Sequence, residues 1–262
     1  MEFKTLKYEE TEAGIGRVTL NRPERLNALS LEMLEEFHSL LDLVRHRSET
    51  RVLILTGEGR GFCSGFDLKD ERLQKEAVRF LSNPGLHLTA VQKKYGDLVV
   101  QMRKIPQPFI AAVNGPAAGG GMALALASDV ILAGPKAAFI PSFINIGLSG
   151  GEMGTTFFLP RLVGSTRAAE ILMTGRTVDA AEAEKIGLVC RVVAADRLIP
   201  ETLEIARKMI GKTSLGLLFT KEAMYLNANA TLEAAVELEN RNQSICCSAP
   251  DFLRAVTAFQ KR

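Results

Sequence analysis

The sequence predicts an α/β fold with mostly parallel strand pairing, continued by a helical C-terminal region. Short, unbroken apolar runs recur at 52–56 (VLILT), 109–113 (FIAAV), 130–133 (VILA) and 189–193 (VCRVV), the pattern of strands buried on both faces. Helical patterns fall between and after these runs, at roughly 86–104, 118–127, 165–173 and 179–186, and such alternation places helices on a parallel sheet. From about residue 198 the strand patterns stop, and LIPETLEIARKMIG, SLGLLFTKEAMYL and TLEAAVELENRNQSICCS follow as three helical stretches. The expected division is an α/β core over 1–197 and a helical region over 198–262, with no low-complexity linker, hence one cooperative unit.

From the N-terminus, FKTLKYEE and IGRVTLNRP alternate with period two and predict two antiparallel strands joined near Gly14, the second ended by Pro23. Ser30 is placed to cap a helix whose apolar stripe is Leu34, Phe37, Leu41 and Val44, with Glu32 and Glu35 at its positive end. GGGMALALAS is short and led by glycine, which predicts a buried helix and not a membrane span. MEFKTLKYEE has no apolar core of signal-peptide length.

Composition narrows the function classes. The chain has 262 residues, 47% of them hydrophobic and 24% charged, enough apolar material for a large core. A net charge of +2, without a Lys/Arg-rich block, gives no reason to expect nucleic acid. Cys63, Cys190, Cys246 and Cys247 form no metal or disulfide framework, and the adjacent pair is poorly placed for an ordinary bridge. No CxxC, HExxH or EF-hand pattern occurs. The expectation is a cytoplasmic protein with reduced cysteines, no metal site, and no nucleic-acid or membrane partner.

Two glycine-rich turns carry the chemical interest. GRGFCSGFDLK follows the run at 52–56, and NGPAAGGGMALALASD follows the run at 109–113. Both sit at the carboxyl ends of strands, where open α/β sheets bind ligands. Gly119, Gly120 and Gly121 open a helix, so unpaired N–H groups and the positive dipole end leave its first turn. A dinucleotide fingerprint is excluded by spacing and late position, and a P-loop by the missing Gly-Lys-Ser/Thr. Two readings stay open: glycines that admit tight helix packing, and one N–H from each loop converging on a carbonyl oxygen, an oxyanion hole.

Seven motifs in order now matter together: NRPERLNAL (21–29), GFCSGFDLK (61–69), AAVNGPAAGGG (111–121), ASDVILA (127–133), LPRLVG (159–164), LMTGRTVDAAEAEKIGLV (172–189) and AFQKR (258–262). Over essentially its whole length the chain resembles the crotonase superfamily, the enoyl-CoA hydratase/isomerase family. The resemblance implies a spiral of ββα units whose helical C-terminal region assembles a homotrimer or a dimer of trimers and completes the site. It implies an acyl-CoA thioester as ligand and no separate cofactor, coenzyme A entering with the substrate. Carried over by position, the oxyanion donors are the Phe66 and Gly120 N–H groups. Arg25, Leu26 and Ala28 line the CoA groove with Ser64, Asp67 and Leu68 beside it. Lys69 and Arg60 fall where relatives place cations for the CoA phosphates, although a solvated surface cation is the other reading of each. Gly119, Ala123, Ser142 and Phe143 are implied at the acyl end, with 70–98 and Phe139–Phe143 shaping the acyl pocket.

The pattern breaks at the acids. Hydratases of this family carry two glutamates, and the matching positions here hold Ala123 and Phe143, neither able to exchange a proton. Glu152 is the remaining candidate. Counted back from GTTFFLPRLVG it matches an aspartate of dienoyl-CoA isomerases and of 4-chlorobenzoyl-CoA dehalogenases. Counted forward from Gly147 it is one residue late, it is one methylene longer, and the dehalogenase histidine has only Gly96 near its place. The competing role is an acid at a helix N-terminus, worth roughly 0.3–1 kcal/mol. Phe143 and its apolar neighbours are expected to raise the Glu152 pKa by desolvation. His87, Cys63, Tyr95 and Asp97 are lesser candidates; His38 and His46 belong to the first helix. Two expectations follow: a CoA-thioester isomerase or lyase in which Glu152 moves one proton, or an acyl-CoA binding protein that has lost catalysis. A nicotinamide-dependent dehydrogenase fails on its motif. The acyl group itself has no signature.

Overall fold

The computed structural model describes residues 3–260, without the side chains at 76–78, 80, 81 and 258–260. Of the AFQKR motif, Lys261 and Arg262 lie outside the described residues. Strands β1 (Leu6–Glu12) and β2 (Ile15–Leu20) form the expected antiparallel hairpin, turning at Gly14 with φ +86°. Ser30 Oγ accepts the Met33 N–H at 3.1 Å and starts α1 (Leu31–Arg45), whose Leu34, Phe37, Leu41 and Val44 are all fully buried. β3 (Val52–Gly57) then pairs parallel with β2.

From β3 the chain runs through α2 (Glu71–Ser82), α3 (Pro84–His87), a π turn (Leu88–Gln92) and α4 (Lys93–Lys104) to β4 (Phe109–Val113). β5 (Pro116–Ala118) and α5 (Gly120–Ala127) lead to β6 (Val130–Ala133) and β7 (Ala138–Ile140). Helices α6 (Thr155–Val163) and α7 (Ser165–Thr174), strand β8 (Val178–Asp179), helix α8 (Ala180–Lys185) and strand β9 (Arg191–Val192) follow. The described strands form a six-stranded sheet, β1-β2-β3-β4-β6-β9, and a small second sheet, β5-β7-β8. Helices α9 (Leu198–Ile210), α10 (Ser214–Leu226), α11 (Leu232–Ser248) and α12 (Pro250–Gln260) end the chain.

The unbroken apolar runs have a direct cause. Leu53 and Leu55 of β3 enter the main core with α1, α4 and α5, while Val52 and Ile54 face a second cluster built with Ile110, Ala112, Leu132 and, from α9, Leu198 and Ala206. Both faces are covered, so both sets of side chains are apolar. The run at 189–193 is an exception to that reading: only Arg191–Val192 form the strand, at the sheet edge, and Arg191 is exposed. The helix expected over 118–127 begins at Gly120, because 116–118 pair with β7 instead. The helix expected over 86–104 is broken by the π turn. All of α5 is buried, and among the described residues no helix is long and apolar enough to cross a membrane.

Candidate active site at two glycine loops

The two glycine turns are joined to each other and to the segment that leaves β2. Leu29 pairs with Phe66 in an isolated parallel bridge: its N–H donates to Gly65 O (2.7 Å) and its carbonyl accepts from the Asp67 N–H (3.1 Å). A parallel bridge of this kind uses the peptide groups flanking Phe66, so the Phe66 N–H points to the other side. A second bridge pairs Cys63 with Ala117, with the Ala118 N–H donating to Cys63 O at 2.9 Å.

This close approach requires glycine. A Cβ on Gly121 would fall 2.2 Å from Cys63 O, and one on Gly119 (φ +48°) would fall 2.9 Å from Ser142 Oγ. Gly120 is the first residue of α5, where an N–H has no intrahelical partner. A Cβ built on Gly65 would lie 3.3 Å from Gly120 N, so the two loops meet at these donors. Among the described residues neither the Phe66 N–H nor the Gly120 N–H has a protein acceptor. The tight-packing reading holds at Gly121; the free donor is at Gly120.

Glu152 precedes Met153, which packs against the donor loops. Its carboxylate is half-buried, accepts the Met153 N–H at 3.1 Å, and accepts a hydrogen bond from the Gln92 side-chain amide. Met153 is buried with φ +48°, a conformation that costs a residue with a side chain on the order of 1–3 kcal/mol. Its sulfur lies 3.2 Å from where a Gly120 Cβ would be, beside Phe66 Cε1. Glu152 therefore adjoins the residue that walls the donor site. It does not cap α6: the cap residue is Gly154, no side-chain cap bond is made, and the Glu152 main-chain N–H donates to Thr155 Oγ1 (3.1 Å).

The surroundings set the protonation states. Burial raises the Glu152 pKa above the usual carboxylate range, opposed by the Met153 N–H, the Gln92 amide and the positive charge of His87. Burial likewise pushes the Cys63 thiol up to about 12, against the Gly65 backbone contact, so Cys63 stays a protonated thiol. Tyr95 is held as a neutral phenol, by burial first and then by Asp70, Asp67, Cys63 and Glu152. Its hydroxyl donates to Leu29 O at 3.2 Å, and its ring lies 4.1 Å from that of Phe66, which also meets Phe143 at 5.4 Å.

Arg25, Leu26 and Ser64 come together: the Ser64 N–H donates to Leu26 O (3.0 Å) and its hydroxyl to Arg25 O (3.3 Å). Arg25, Arg60 and Lys69 are exposed, as is Leu68. Asp67 lies in the same loop but points inward, bonded to Arg22 (2.7 Å) and the Lys69 N–H (3.0 Å). Ala28 is buried, and Ala123 is fully buried one turn into α5. Phe143 and Ser142 lie against Gly119. Asp97 is exposed on α4, and His38 bridges α1 to Gln101 (2.6 Å) and Lys94 O (2.8 Å), away from Glu152. Sequence reading missed Gln92 and Met153, which stand in no motif. Among the described residues no group of His, Cys, Asp or Glu has the makings of a metal site.

The family model of enoyl-CoA hydratase/isomerase matches residues 10–262. The chain belongs to the enoyl-CoA hydratase/isomerase family. A probable enoyl-CoA hydratase of Mycobacterium tuberculosis is 40% identical over 245 residues, 93% of this chain and 83% of that protein. The 1,2-epoxyphenylacetyl-CoA isomerase of Escherichia coli is 35% identical over 248 residues, 95% of this chain and 92% of that one. The crystal structure of a probable enoyl-CoA hydratase/isomerase from Mycobacterium abscessus superposes with a TM-score of 0.89 at 36% identity, covering 98% of this chain and 96% of that one. The crotonase fold and the family expected from the motifs are thus both established.

Proposed function

We propose that this protein isomerises an enoyl-CoA through a thioester enolate, with Glu152 as its acid–base group and with feeble hydratase activity. The observation that carries this reading is the half-buried Glu152 carboxylate, raised in pKa and held by the N–H of Met153, whose sulfur packs against Gly120, one of two unpartnered N–H donors. In a 3-enoyl-CoA, ionised Glu152 takes a proton from C2. The electron pair moves onto the thioester oxygen, where the Phe66 and Gly120 N–H groups receive the charge. The protonated carboxyl then returns the proton at C4, leaving the 2-enoyl-CoA. One group suffices because the proton removed is the proton returned. Adding water requires a second group to activate it, and Ala123 and Phe143 offer none. The E. coli relative named as an isomerase fits a site of this type.

Arg25, Arg60 and Lys69 are the exposed cations for the CoA phosphates. The four free cysteines fit a cytoplasmic setting. Met224, Leu232 and Leu253 are 72%, 75% and 68% exposed on α10, α11 and α12, an apolar display that a trimer, alone or doubled, would cover. Sedimentation at micromolar concentration is expected to give three or six chains; a clean monomer rejects the assembly.

The deciding experiment is Glu152→Gln assayed on 3-enoyl-CoA. Loss of a general acid–base group costs about 10²–10⁴-fold, and here it should fall on kcat with CoA-thioester affinity nearly unchanged. The missing glutamates also favour a second reading, an acyl-CoA binding protein without turnover. Tight binding of acyl-CoA with equal, negligible rates in wild type and Glu152→Gln selects that reading.

A further inference from the structure

Glu152 stands on a loop whose own contacts hold its main chain and leave its carboxylate to other partners. Gly150 and Gly151 precede it and Gly154 follows. Within that loop Ser149 Oγ accepts the Gly151 N–H (3.1 Å), and Thr155 Oγ1 accepts the Glu152 N–H (3.1 Å) while donating to Gly150 O (3.0 Å). The carboxylate is held separately, at both oxygens. Oε1 accepts the neighbouring Met153 N–H at 3.1 Å, and Oε2 accepts the Gln92 side-chain amide from another element. Gln92 ends the π turn over Leu88–Gln92, and α4 begins at the next residue, anchored in the core by buried Tyr95, Leu98 and Met102. Turns of this kind occur often at functional sites. The second donor therefore stands on an anchored helix, and the acid on a glycine-rich loop.

We propose that Gln92 is a positioning residue that acts through Glu152: its amide N–H fixes the carboxylate in one orientation and favours the ionised form that removes a proton. This rests on Glu152 being the proton-moving group. An untethered glutamate side chain gives up rotamer freedom each time it adopts the reactive geometry, and a misplacement of about 1 Å can cost about 10²-fold in rate. An ionised carboxylate only accepts hydrogen bonds, so Gln92 must present its N–H there and not its carbonyl oxygen. A neutral donor also suits the chemistry better than a cation. Lys or Arg in its place would hold the carboxylate ionised, yet the adjacent positive charge would make it a weaker base. Burial raises the Glu152 pKa, and the Gln92 hydrogen bond moderates that rise without cancelling it.

The test is a double-mutant cycle on a 3-enoyl-CoA, with Gln92→Met placed in wild type and in Glu152→Gln. Met matches Gln in length and removes the donor, so kcat in the wild-type background should fall about 10–100-fold with KM nearly unchanged. In the Glu152→Gln background the same substitution should lower the residual rate no further, because its target is gone. Equal losses in both backgrounds overturn the proposal and make Gln92 a packing residue. No loss in wild type, with Glu152→Gln strongly impaired, overturns it too. Full activity in Glu152→Gln instead ends the isomerase reading, and with it any catalytic role for Gln92. An infrared titration of the Glu152 carboxyl band, identified by its loss in Glu152→Gln, reads the pairing without turnover. Gln92→Met should move that titration to higher pH. His87 and Tyr95, the titratable groups that bear on this carboxylate, are the same in both proteins. A band that titrates identically with and without the Gln92 amide overturns the proposal.

Discussion

The donor side and the acid side of this site are built from different materials. The Phe66 and Gly120 N–H groups belong to the main chain, and bridges at Leu29–Phe66 and Cys63–Ala117 hold them in place. The acid side depends on side chains: Glu152 on the approach to α6 and Gln92 in the π turn. A main-chain donor survives most substitutions at its own position, because every residue except proline carries the N–H. A carboxylate survives none. That difference lets a donor pair of this kind persist while side chains around it change, as at Ala123 and Phe143, neither of which can exchange a proton.

The comparison can be broken from either side. Glu152→Gln is expected to have the largest effect, the loss of about 10²–10⁴-fold in kcat described above. On the donor side, Gly120→Pro removes the N–H at a first helical position that tolerates proline, and should cost about 10²–10³-fold. Gly120→Ala is its control, adding a Cβ against the mobile ends of Leu29, Met153 and Phe66 while keeping the donor. Equal losses in both variants would trace the effect to crowding and not to the hydrogen bond.

A smaller effect on stability should separate the two loops' packing from their chemistry. Gly121→Ala drives a Cβ into Cys63 main-chain atoms that cannot rotate away, an overpacking expected to cost about 1–3 kcal/mol in denaturant titration. A neutral outcome would mean the loops slide apart freely, against the bridge geometry.

The smallest effect concerns Glu152 as a liability to the fold. Its folded-state pKa is raised, so ionising it is harder in the folded chain than in the unfolded one. Below the ordinary carboxylate pKa of about 4.3 both states are protonated and the group is neutral to stability. The penalty grows as pH rises through that value and is complete above the raised pKa. Glu152→Gln should therefore melt higher than wild type at pH 8, with the gain vanishing toward pH 4. Calorimetry at the two pH values checks this, and a gain confined to low pH would show that the sign is wrong.

Much of the fold was legible because its causes are local. Ser30 caps α1, Gly14 turns the hairpin, and the apolar runs of β3, β4 and β6 announce a sheet covered on both faces. The short strands β5, β7 and β8 were not legible, since two or three residues carry no period and pair only when the chain brings them together. The edge position of Arg191–Val192 was hidden for the same reason. The loop donors were assigned from motif position, while the glycine spacing by itself left tight packing open as a second reading.

By itself, then, the sequence determined the α/β class, the helix and strand periods, the glycine turns, and which positions lack an acid. Tertiary structure alone decided where the remaining acid points. Glu152 meets Gln92, 60 residues earlier, through a hydrogen bond that neither residue's neighbours foretell. It decided too that Asp67 turns inward to Arg22, and that Ala123 stands fully buried in α5. The physical reason is common to all three. Backbone propensity and hydrophobic period act over a few residues, whereas a side chain's desolvation, partner and charge state depend on distant segments that only folding brings within a few ångströms.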